Sequence, residues 1–266
     1  MTLDLYYTKH GTGDMNILLI HGFASSSKMW DNIIKHSNLS ATWWAVDLPG
    51  FGQSPAPEDT FTIDDHVQAV IHFMQSHDLK PEVIMCHSTG GAVVLKLVVT
   101  RPDLVQRMVL ISPVVTGEFT PGGLFSKIVR SSTGTALLRS APALLEMVQK
   151  SGIAERFTGI TGVGVRDETV KQQMVADFHA MNAAASIETL ISLAQNDMTP
   201  FLADIRHTTL LVLGAKDMTV PFSEGKTAAL YMPHAAVKIF DDAYHLPHEE
   251  HPQEFAALVS DFLAKS

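Results

Sequence analysis

A serine stands at an abrupt change of pattern in the chain. An apolar, β-rich run ends at Cys86 and His87, and a run with the composition of a buried helix begins at Thr89. So tight a strand-to-helix turn strains the backbone of Ser88 and projects its Oγ beyond the strand tips. The turn also needs small residues two positions to either side, and here these are Cys86 and Gly90. Ser88 is therefore the candidate nucleophile.

A serine hydroxyl needs a neighbouring base before it can attack a carbonyl. His245 follows the last apolar strand-like run, where a loop would carry it over the C-terminal edge of a sheet. His87 is adjacent to the serine, and adjacent side chains on a turn diverge, so we expect it to shape the pocket. His248 and His251 lie nearer the final helix and are expected to be structural or solvated. His245 is the favoured base.

The base in turn needs a carboxylate that orients it. Asp217 comes shortly after Gly214, where an apolar strand-like run ends. Open α/β sheets build their sites at this edge. Asp241 and Asp242 are rivals, but they precede His245 on its own loop and would have difficulty reaching its Nδ1. Asp217 is the favoured acid.

The elements that must position these residues alternate along the chain. Short apolar runs predict six strands, at 15–21, 42–47, 82–86, 107–112, 208–214 and 236–241. Their near-continuous apolarity is typical of a parallel sheet covered on both faces. Residues 3–8 alternate more strictly, which predicts an antiparallel edge strand. Helices are predicted at 64–77, with Asp64 as its N-cap, at 89–100, and from Pro252 to the end.

The alternation stops between Pro113 and Pro200, where the pattern is helical throughout. The alternative is a set of ordinary crossover helices, but a crossover between parallel strands needs only about a dozen residues, so the length of this segment favours an insertion. We expect a helical cap, or lid, over residues 114–200, with the core domain formed by residues 1–113 and 201–266.

The predicted cap is rich in large apolar side chains. We expect some of them to face the serine and to favour an apolar acyl or alcohol group. They are Phe119, Leu124, Phe125, Leu137, Leu138, Leu144, Met147, Phe157, Met174, Phe178, Met181 and Leu190.

The composition argues against several classes of function. The chain has 266 residues, 46% of them hydrophobic, and a formal charge of −9, which disfavours nucleic acid or an anionic membrane as the main partner. Its single cysteine, Cys86, excludes an intrachain disulfide and a multi-cysteine metal site. The scattered histidines lack a carboxylate-supported ligand set, so we expect no metal and no cofactor. Without a secretory signal or a membrane-spanning run, the chain is expected to be soluble and cytoplasmic.

Four segments resemble motifs of the α/β-hydrolase superfamily, in the family's order. They are Leu19–Phe23 (the oxyanion loop), Val46–Ser54 (DLPGxGxS), Cys86–Gly90 (the nucleophile elbow) and Glu250–Pro252 (ExP after the catalytic histidine). The order Ser88, Asp217, His245 is also the family's. The resemblance covers essentially the whole chain. It implies an α/β-hydrolase fold, with a mostly parallel central sheet flanked by helices and a helical cap inserted after the sixth strand.

The same resemblance implies an oxyanion hole made by the backbone N–H groups of Phe23 and Thr89. Thr89 lies in the first turn of a helix, where donors are unpaired and the helix dipole favours negative charge. Gly22 lets the other loop approach closely, and His21 is expected to orient that loop.

Two positions depart from the family pattern. Cys86 replaces the common glycine, but it is small enough for the turn and is interpreted as a buried thiol. Tyr244 precedes His245 where the family often has glycine. We therefore expect Tyr244, with His21, Gly22 and His87, to shape the pocket.

The expected reaction is hydrolysis of carboxylic esters of small-to-medium apolar substrates through an acyl-enzyme on Ser88. A serine disfavours haloalkane dehalogenase and epoxide hydrolase, because relatives with those activities use aspartate. The alternatives are a hydrolase of carbon–carbon bonds in diketones or ring-cleavage products, a cofactor-free perhydrolase or haloperoxidase, and a slow-turnover ligand receptor. No arginine is placed to bind a substrate carboxylate, which weakens the carbon–carbon alternative.

Overall fold

The computed structural model describes residues 3–57, 61–119 and 123–264, except for the side chains of residues 153, 154 and 157. Its strands are β1 (Tyr7–His10), β2 (Met15–Ile20), β3 (Ala41–Val46), β4 (Val83–His87), β5 (Arg107–Ile111), β6 (Thr208–Gly214) and β7 (Ala235–Phe240). Its α-helices are α1 (Asp31–His36), α2 (Ile63–Ser76), α3 (Thr89–Thr100), α4 (Leu124–Arg130), α5 (Ser132–Arg139), α6 (Pro142–Gln149), α7 (Ile153–Thr161), α8 (Glu168–Ala180), α9 (Ala183–Gln195), α10 (Phe222–Tyr231), α11 (Pro247–Glu250) and α12 (Pro252–Ala264). In this part of the chain, no helix is both long and apolar enough to cross a bilayer.

The strands form one sheet in the order β1-β3-β2-β4-β5-β6-β7. β1 is antiparallel to β3, and every other neighbouring pair is parallel. The predicted fold class, a mostly parallel sheet flanked by helices, is therefore confirmed. The antiparallel edge strand is also present, although it begins at Tyr7 rather than at residue 3.

Both faces of the central strands are buried, which explains why these strands lack alternation. On β2, Leu18 and Ile20 pack into a core shared with α2, α3 and α9. Their neighbours Ile17 and Leu19 pack on the other face, against α1 and α12. Because each apolar residue has a covered face to enter, a continuous apolar run is stable as a strand.

The helix boundaries follow local chemistry. α2 begins one residue earlier than predicted, and its N-cap is Thr62 rather than Asp64. Thr62 and Asp65 bond each other's backbone N–H groups in a capping box, which satisfies two donors at once and is worth more than a single cap. α12 begins at Pro252 as predicted, because a first-turn proline has no N–H to leave unpaired.

Helices α4–α9, here called the helical insertion, lie between β5 and β6. The insertion thus follows the fifth described strand and not the sixth, because β1 to β5 are the strands that precede α4 in the described part of the chain. The segment just after β5 is fixed by the buried Glu224 of α10. Its carboxylate accepts the N–H groups of Val115 and Thr116, at 2.6 and 2.7 Å.

The strand order reverses between β2 and β4, and the register places Ile20 beside Cys86. The segments that follow these strands, at His21 and Ser88, therefore leave the same edge of the sheet side by side. Clefts at such reversal points are the usual ligand sites of open α/β sheets.

Candidate active site

Ser88 occupies a strained turn between β4 and α3. Its backbone has φ 51° and ψ −114°, a conformation that costs a non-glycine residue about 1–3 kcal/mol. Backbone hydrogen bonds hold it there. The N–H of Ser88 donates to Ile111 O at 2.9 Å, and its carbonyl accepts from Gly91 and Val114 at 2.8 and 3.2 Å. The strained conformation is therefore held by β5, by the segment that follows it and by α3.

Glycines beside the serine allow close backbone approach. A Cβ at Gly90 would lie 2.6 Å from the carbonyl oxygens of Ile20 and His21. Cys86 is fully buried, and burial raises the pKa of its thiol. It therefore remains a protonated, buried side chain, and this agrees with its interpretation as a small buried thiol.

Asp217 and His245 are in direct contact. Nδ1 of His245 lies 2.7 Å from Oδ2 of Asp217, and both side chains are almost completely buried. The other carboxylate oxygen, Oδ1, accepts the N–H groups of Thr219 and Val220 at 2.8 and 2.9 Å. These two donors fix the carboxylate plane, so one oxygen is reserved for the histidine.

The rival acid and histidines lie elsewhere. Asp242 is exposed and pairs with His251 at 3.2 Å. His248 is fully buried, and burial lowers its pKa to about 3. Within residues 3–57, 61–119 and 123–264, no group of three or more His, Cys, Asp or Glu side chains is arranged to hold a metal ion.

His87 supports the loop that carries His245. Its Nε2 lies 3.0 Å from the backbone carbonyl oxygen of His245. Because a carbonyl oxygen only accepts, Nε2 carries the proton. Burial, with help from nearby His245 and His248, holds the pKa of His87 well below its usual value, so the ring is neutral. This contact with the backbone of His245 was not predicted from the sequence. The position of His87 next to Ser88 indicated only that it lies near the site.

The loop that carries Phe23 is also tightly held. His21 is fully buried, its Nδ1 donates to Gly22 O at 2.7 Å, and its Nε2 accepts from Leu48 N–H at 2.8 Å. Burial lowers the pKa of His21, so it stays neutral in this role. A Cβ at Gly22 would lie 3.1 Å from the Ser88 Cβ and 2.7 Å from His87 Nδ1. Only glycine lets this loop pass so close to the serine turn.

The N–H groups of Phe23 and Thr89 are both free to bind an anion. Among the described residues, neither donates a backbone hydrogen bond. Thr89 opens α3, so its N–H is one of the unpaired donors of a helix N-terminus.

Tyr244 does not shape the pocket as expected. Its backbone N–H donates to Glu250 at 2.9 Å, and the same carboxylate accepts from Leu246 N–H at 3.1 Å. These bonds, one on each side of His245, fix the loop in a path that leaves Tyr244 outside the cavity lining, near Lys216. Glu250 is thus a supporting residue of the site, and the sequence signalled it only through the ExP resemblance.

Ser88 and His245 face one cavity of about 310 Å³. Phe23 and His87 also line it, whereas His21 and Gly22 do not and act through the loop they shape. Another part of the cavity wall comes from the helical insertion, at α7 and α8.

The insertion's share of the wall is more polar than expected. Of the twelve apolar residues, some of which we expected to face the serine, Met174 is the one among the described side chains that lines the cavity, and the side chain of Phe157 lies outside the described part. The others are buried in the core or exposed on the outer side, because short amphipathic helices bury one face on α9 and leave the other in solvent. The wall is instead formed largely by Thr158, Thr161, Thr169, Gln173 and Asp177.

Two buried carboxylates line the cavity, those of Glu249 and Asp177. Burial raises the pKa of Glu249 from 4.5 to about 7, and a hydrogen bond from Asn32 opposes the shift. Burial also raises the pKa of Asp177 from 3.8 to about 6, opposed by Gln173. Both groups are therefore ionised only near neutral pH or above it.

We expect the Glu249→Gln variant to be more stable than the wild type at about pH 8 but not at about pH 5. Since the folded-state pKa is raised from 4.5 to about 7, folding opposes ionisation, and the wild type loses stability as pH rises through this window. Glutamine still accepts the Asn32 hydrogen bond and does not ionise. The gain should reach about 2–3 kcal/mol above pH 7, measured by urea unfolding at several pH values. Equal stability at pH 8 would argue against a buried, ionised Glu249.

Comparisons with known proteins identify the family of this chain. The family model described as alpha/beta hydrolase fold matches residues 16–252. An uncharacterised protein of Mycobacterium tuberculosis is 27% identical over 258 residues, which cover 93% of this chain and 74% of that protein. A pimeloyl-[acyl-carrier protein] methyl ester esterase of Neisseria meningitidis is 26% identical over 254 residues, with 93% of each chain covered.

The fold is shared with solved structures as well. An esterase from Exiguobacterium antarcticum superposes with a TM-score of 0.82 at 19% identity, covering 99% of this chain and 96% of its own. The family model spans most of the chain, from residue 16 to residue 252. The chain therefore belongs to the alpha/beta hydrolase fold family.

Proposed function

We propose that the protein hydrolyses carboxylic esters through an acyl-enzyme on Ser88. The observation that carries this proposal is the shared cavity: Ser88 and His245 both face it, and His245 is held 2.7 Å from Asp217 behind it. A serine with a base, and a base with an orienting carboxylate, is the arrangement that acyl transfer requires.

In the first half of the reaction, His245 Nε2 takes the proton of Ser88 as Oγ attacks the ester carbonyl carbon. Asp217 keeps the proton on Nδ1 and stabilises the positive charge that forms on the ring. The N–H groups of Phe23 and Thr89 bind the oxyanion, and one such donor is typically worth about 3–4 kcal/mol in the transition state. The carbon–oxygen bond then breaks, and the alcohol leaves with the proton from His245.

The second half reverses these roles with water. His245 removes a proton from the water molecule as it attacks the acyl carbon on Ser88. A second oxyanion forms and collapses, the acid leaves, and Ser88 regains its proton from His245. The proton lost by each nucleophile is thus returned to each leaving group.

Residues 114–200, which include the helical insertion, are proposed to form a cap. Residues 1–113 and 201–266 form the core domain on which this cap lies. α7 and α8 close one side of the cavity beside the serine. The lid supplies substrate contacts without contributing to the proposed triad.

A panel of esters tests the proposal. The wild type should release p-nitrophenol continuously from p-nitrophenyl acetate and butyrate, with steady-state turnover that follows enzyme concentration. A single stoichiometric release with no steady state would instead indicate a slow-turnover receptor. Turnover of diketones with none of any ester would indicate a carbon–carbon hydrolase, for which no arginine lines the cavity among the described residues.

A further inference from the structure

Glu249 is a buried acid with few partners. Its side chain lines the cavity that contains Ser88 and is only 6% exposed. One carboxylate oxygen, Oε2, accepts a hydrogen bond from Asn32 Nδ2 at 2.7 Å. Among the described residues, Asn32 is its single hydrogen-bond partner. The second oxygen therefore has lone pairs that the protein does not use.

Two other buried acids, Asp47 and Glu224, are better satisfied. Asp47 accepts the N–H groups of Ser27 and Gln53 and ties two loops together. Glu224 accepts three hydrogen bonds from the segment after β5. Buried carboxylates with structural roles normally have their oxygens paired in this way. Glu249 departs from that pattern at the one place where a ligand would reach it.

Asp177 brings a second buried carboxylate to the same cavity. It lies on α8, is 5% exposed, and accepts hydrogen bonds from Gln173 Nε2 at 2.7 Å and from the side chain of Ser26. The ion pairs formed among the described residues include neither Asp177 nor Glu249. Two buried acids thus line one cavity, and neither forms an ion pair with a described residue, although the charge of the exposed Lys28 acts to lower the pKa of Asp177.

The cations that line the cavity are placed differently. Lys28 and Lys35 contribute to its lining, but both residues are exposed, as are Asp31 and Asp167. Solvent screens these four charges at the mouth, and they cancel in pairs. The charge that a bound ligand meets below the mouth is therefore negative.

We propose that Glu249, together with Asp177, forms a subsite that binds a protonated amino group of the ester substrate. The inference rests on the proposed esterase function and narrows its substrate class to esters that carry an ammonium group on a short apolar stem. The ammonium N–H groups would donate to the unused oxygen of Glu249 and to Asp177. The stem would contact Met29, Val170 and Leu246, which also line the cavity.

Matched pairs of esters test the proposal on either side of the scissile bond. Methyl ε-aminocaproate and methyl heptanoate differ by an ammonium in place of a terminal methyl group on the acyl side. Dimethylaminoethyl butyrate and isoamyl butyrate compare a charged and a neutral group on the alcohol side, where a protonated nitrogen replaces a CH group. In at least one pair, the wild type should have a higher kcat/KM for the charged ester at about pH 8, by about tenfold or more, the value of a hydrogen bond to a charged group.

The variant Glu249→Gln should reduce that preference, the ratio of kcat/KM for the charged ester to kcat/KM for the neutral ester, by about tenfold, because it keeps the shape of the side chain and removes its charge. Glu146→Gln is the matched control, since Glu146 is exposed on α6 and does not line the cavity. It should leave the preference unchanged. Equal turnover of both esters by the wild type, or a preference that survives Glu249→Gln, would overturn the inference.

The two proposals fail in different ways. If no ester of either kind is hydrolysed, the esterase function itself is wrong. If the neutral esters are hydrolysed without any charge preference, only the subsite is wrong.

A measurement on the wild type alone protects the test against a variant that does not fold. Hexylammonium and hexanol are compared as inhibitors of p-nitrophenyl butyrate hydrolysis. The ammonium should have an inhibition constant at least about tenfold lower, for the same reason as the esters. Equal inhibition by the two would count against a carboxylate subsite.

Discussion

Replacement of Ser88 by alanine is expected to lower kcat for ester hydrolysis by at least about 10⁴-fold, and by as much as about 10⁶-fold. The variant loses the attacking oxygen, so no acyl-enzyme forms, and residual activity comes from binding and the oxyanion donors alone. The strained turn does not depend on the hydroxyl, because its hydrogen bonds to Ile111, Gly91 and Val114 are made by the backbone. The variant should therefore fold normally.

The measurement is the steady-state rate with p-nitrophenyl butyrate, with thermal unfolding as the control for folding. Ser112 is a useful matched variant, since it is also buried and also has a positive φ, of 42°. Its replacement by alanine should leave the rate within about threefold, because its Oγ has no hydrogen-bond partner among the described residues and Ser112 does not line the cavity. A Ser88→Ala protein with near-normal turnover would show that another group is the nucleophile.

The Asp217→Asn variant is expected to lower kcat by about 10⁴-fold. The reason lies in the two backbone donors, Thr219 and Val220, which contact Oδ1 at 2.8 and 2.9 Å. An asparagine must turn its carbonyl oxygen towards them, so its amide NH₂ faces His245 Nδ1. The ring then accepts at Nδ1 and carries its proton on Nε2. A protonated Nε2 cannot take the proton of Ser88.

Asp242→Asn is the control for this variant, because Asp242 is the exposed rival that pairs with His251 at 3.2 Å. Its rate should be unchanged, and both variants should unfold near the wild-type temperature. If Asp217→Asn retains most of the activity while Asp242→Asn loses it, the orienting carboxylate has been wrongly assigned.

The sheet could be predicted because strand patterns are local. Runs such as 15–21 and 107–112 are short, aliphatic and bounded by turn residues, and both became central parallel strands. The N-cap of α2 was predicted wrongly because Thr62, Asp64 and Asp65 are all plausible caps in isolation. Only the reciprocal bonds between Thr62 and Asp65 decide among them.

The chain positions of Ser88, Asp217 and His245 also follow from a local rule, since each comes directly after a predicted strand. The structure has Asp217 against His245, and it has Ser88 and His245 facing one cavity. The contacts that hold His245 in place were harder to predict. His87 bonds the backbone carbonyl of His245 across 158 positions of the chain, which no spacing rule reveals. Glu250 bonds the backbone on both sides of His245, and only the ExP resemblance pointed to it.

The cavity wall was the least predictable part of the site. Apolar content in the insertion indicates helices that pack, but it does not tell which face each helix turns towards the serine. Glu249 shows the same limit: a glutamate next to Glu250 and close to His248 resembles a solvated residue in the sequence, yet it is 6% exposed and lines the cavity.

Covalent labelling tests the central claim, that Ser88 is the nucleophile activated by His245, most directly. The protein is treated with diethyl p-nitrophenyl phosphate, which transfers a diethylphosphoryl group to an activated serine, and its peptides are analysed by mass spectrometry. We expect one group per chain, on Ser88, with complete loss of esterase activity, and little labelling of the His245→Ala variant. Labelling of a different residue with loss of activity, or full activity after stoichiometric labelling of Ser88, would contradict the account.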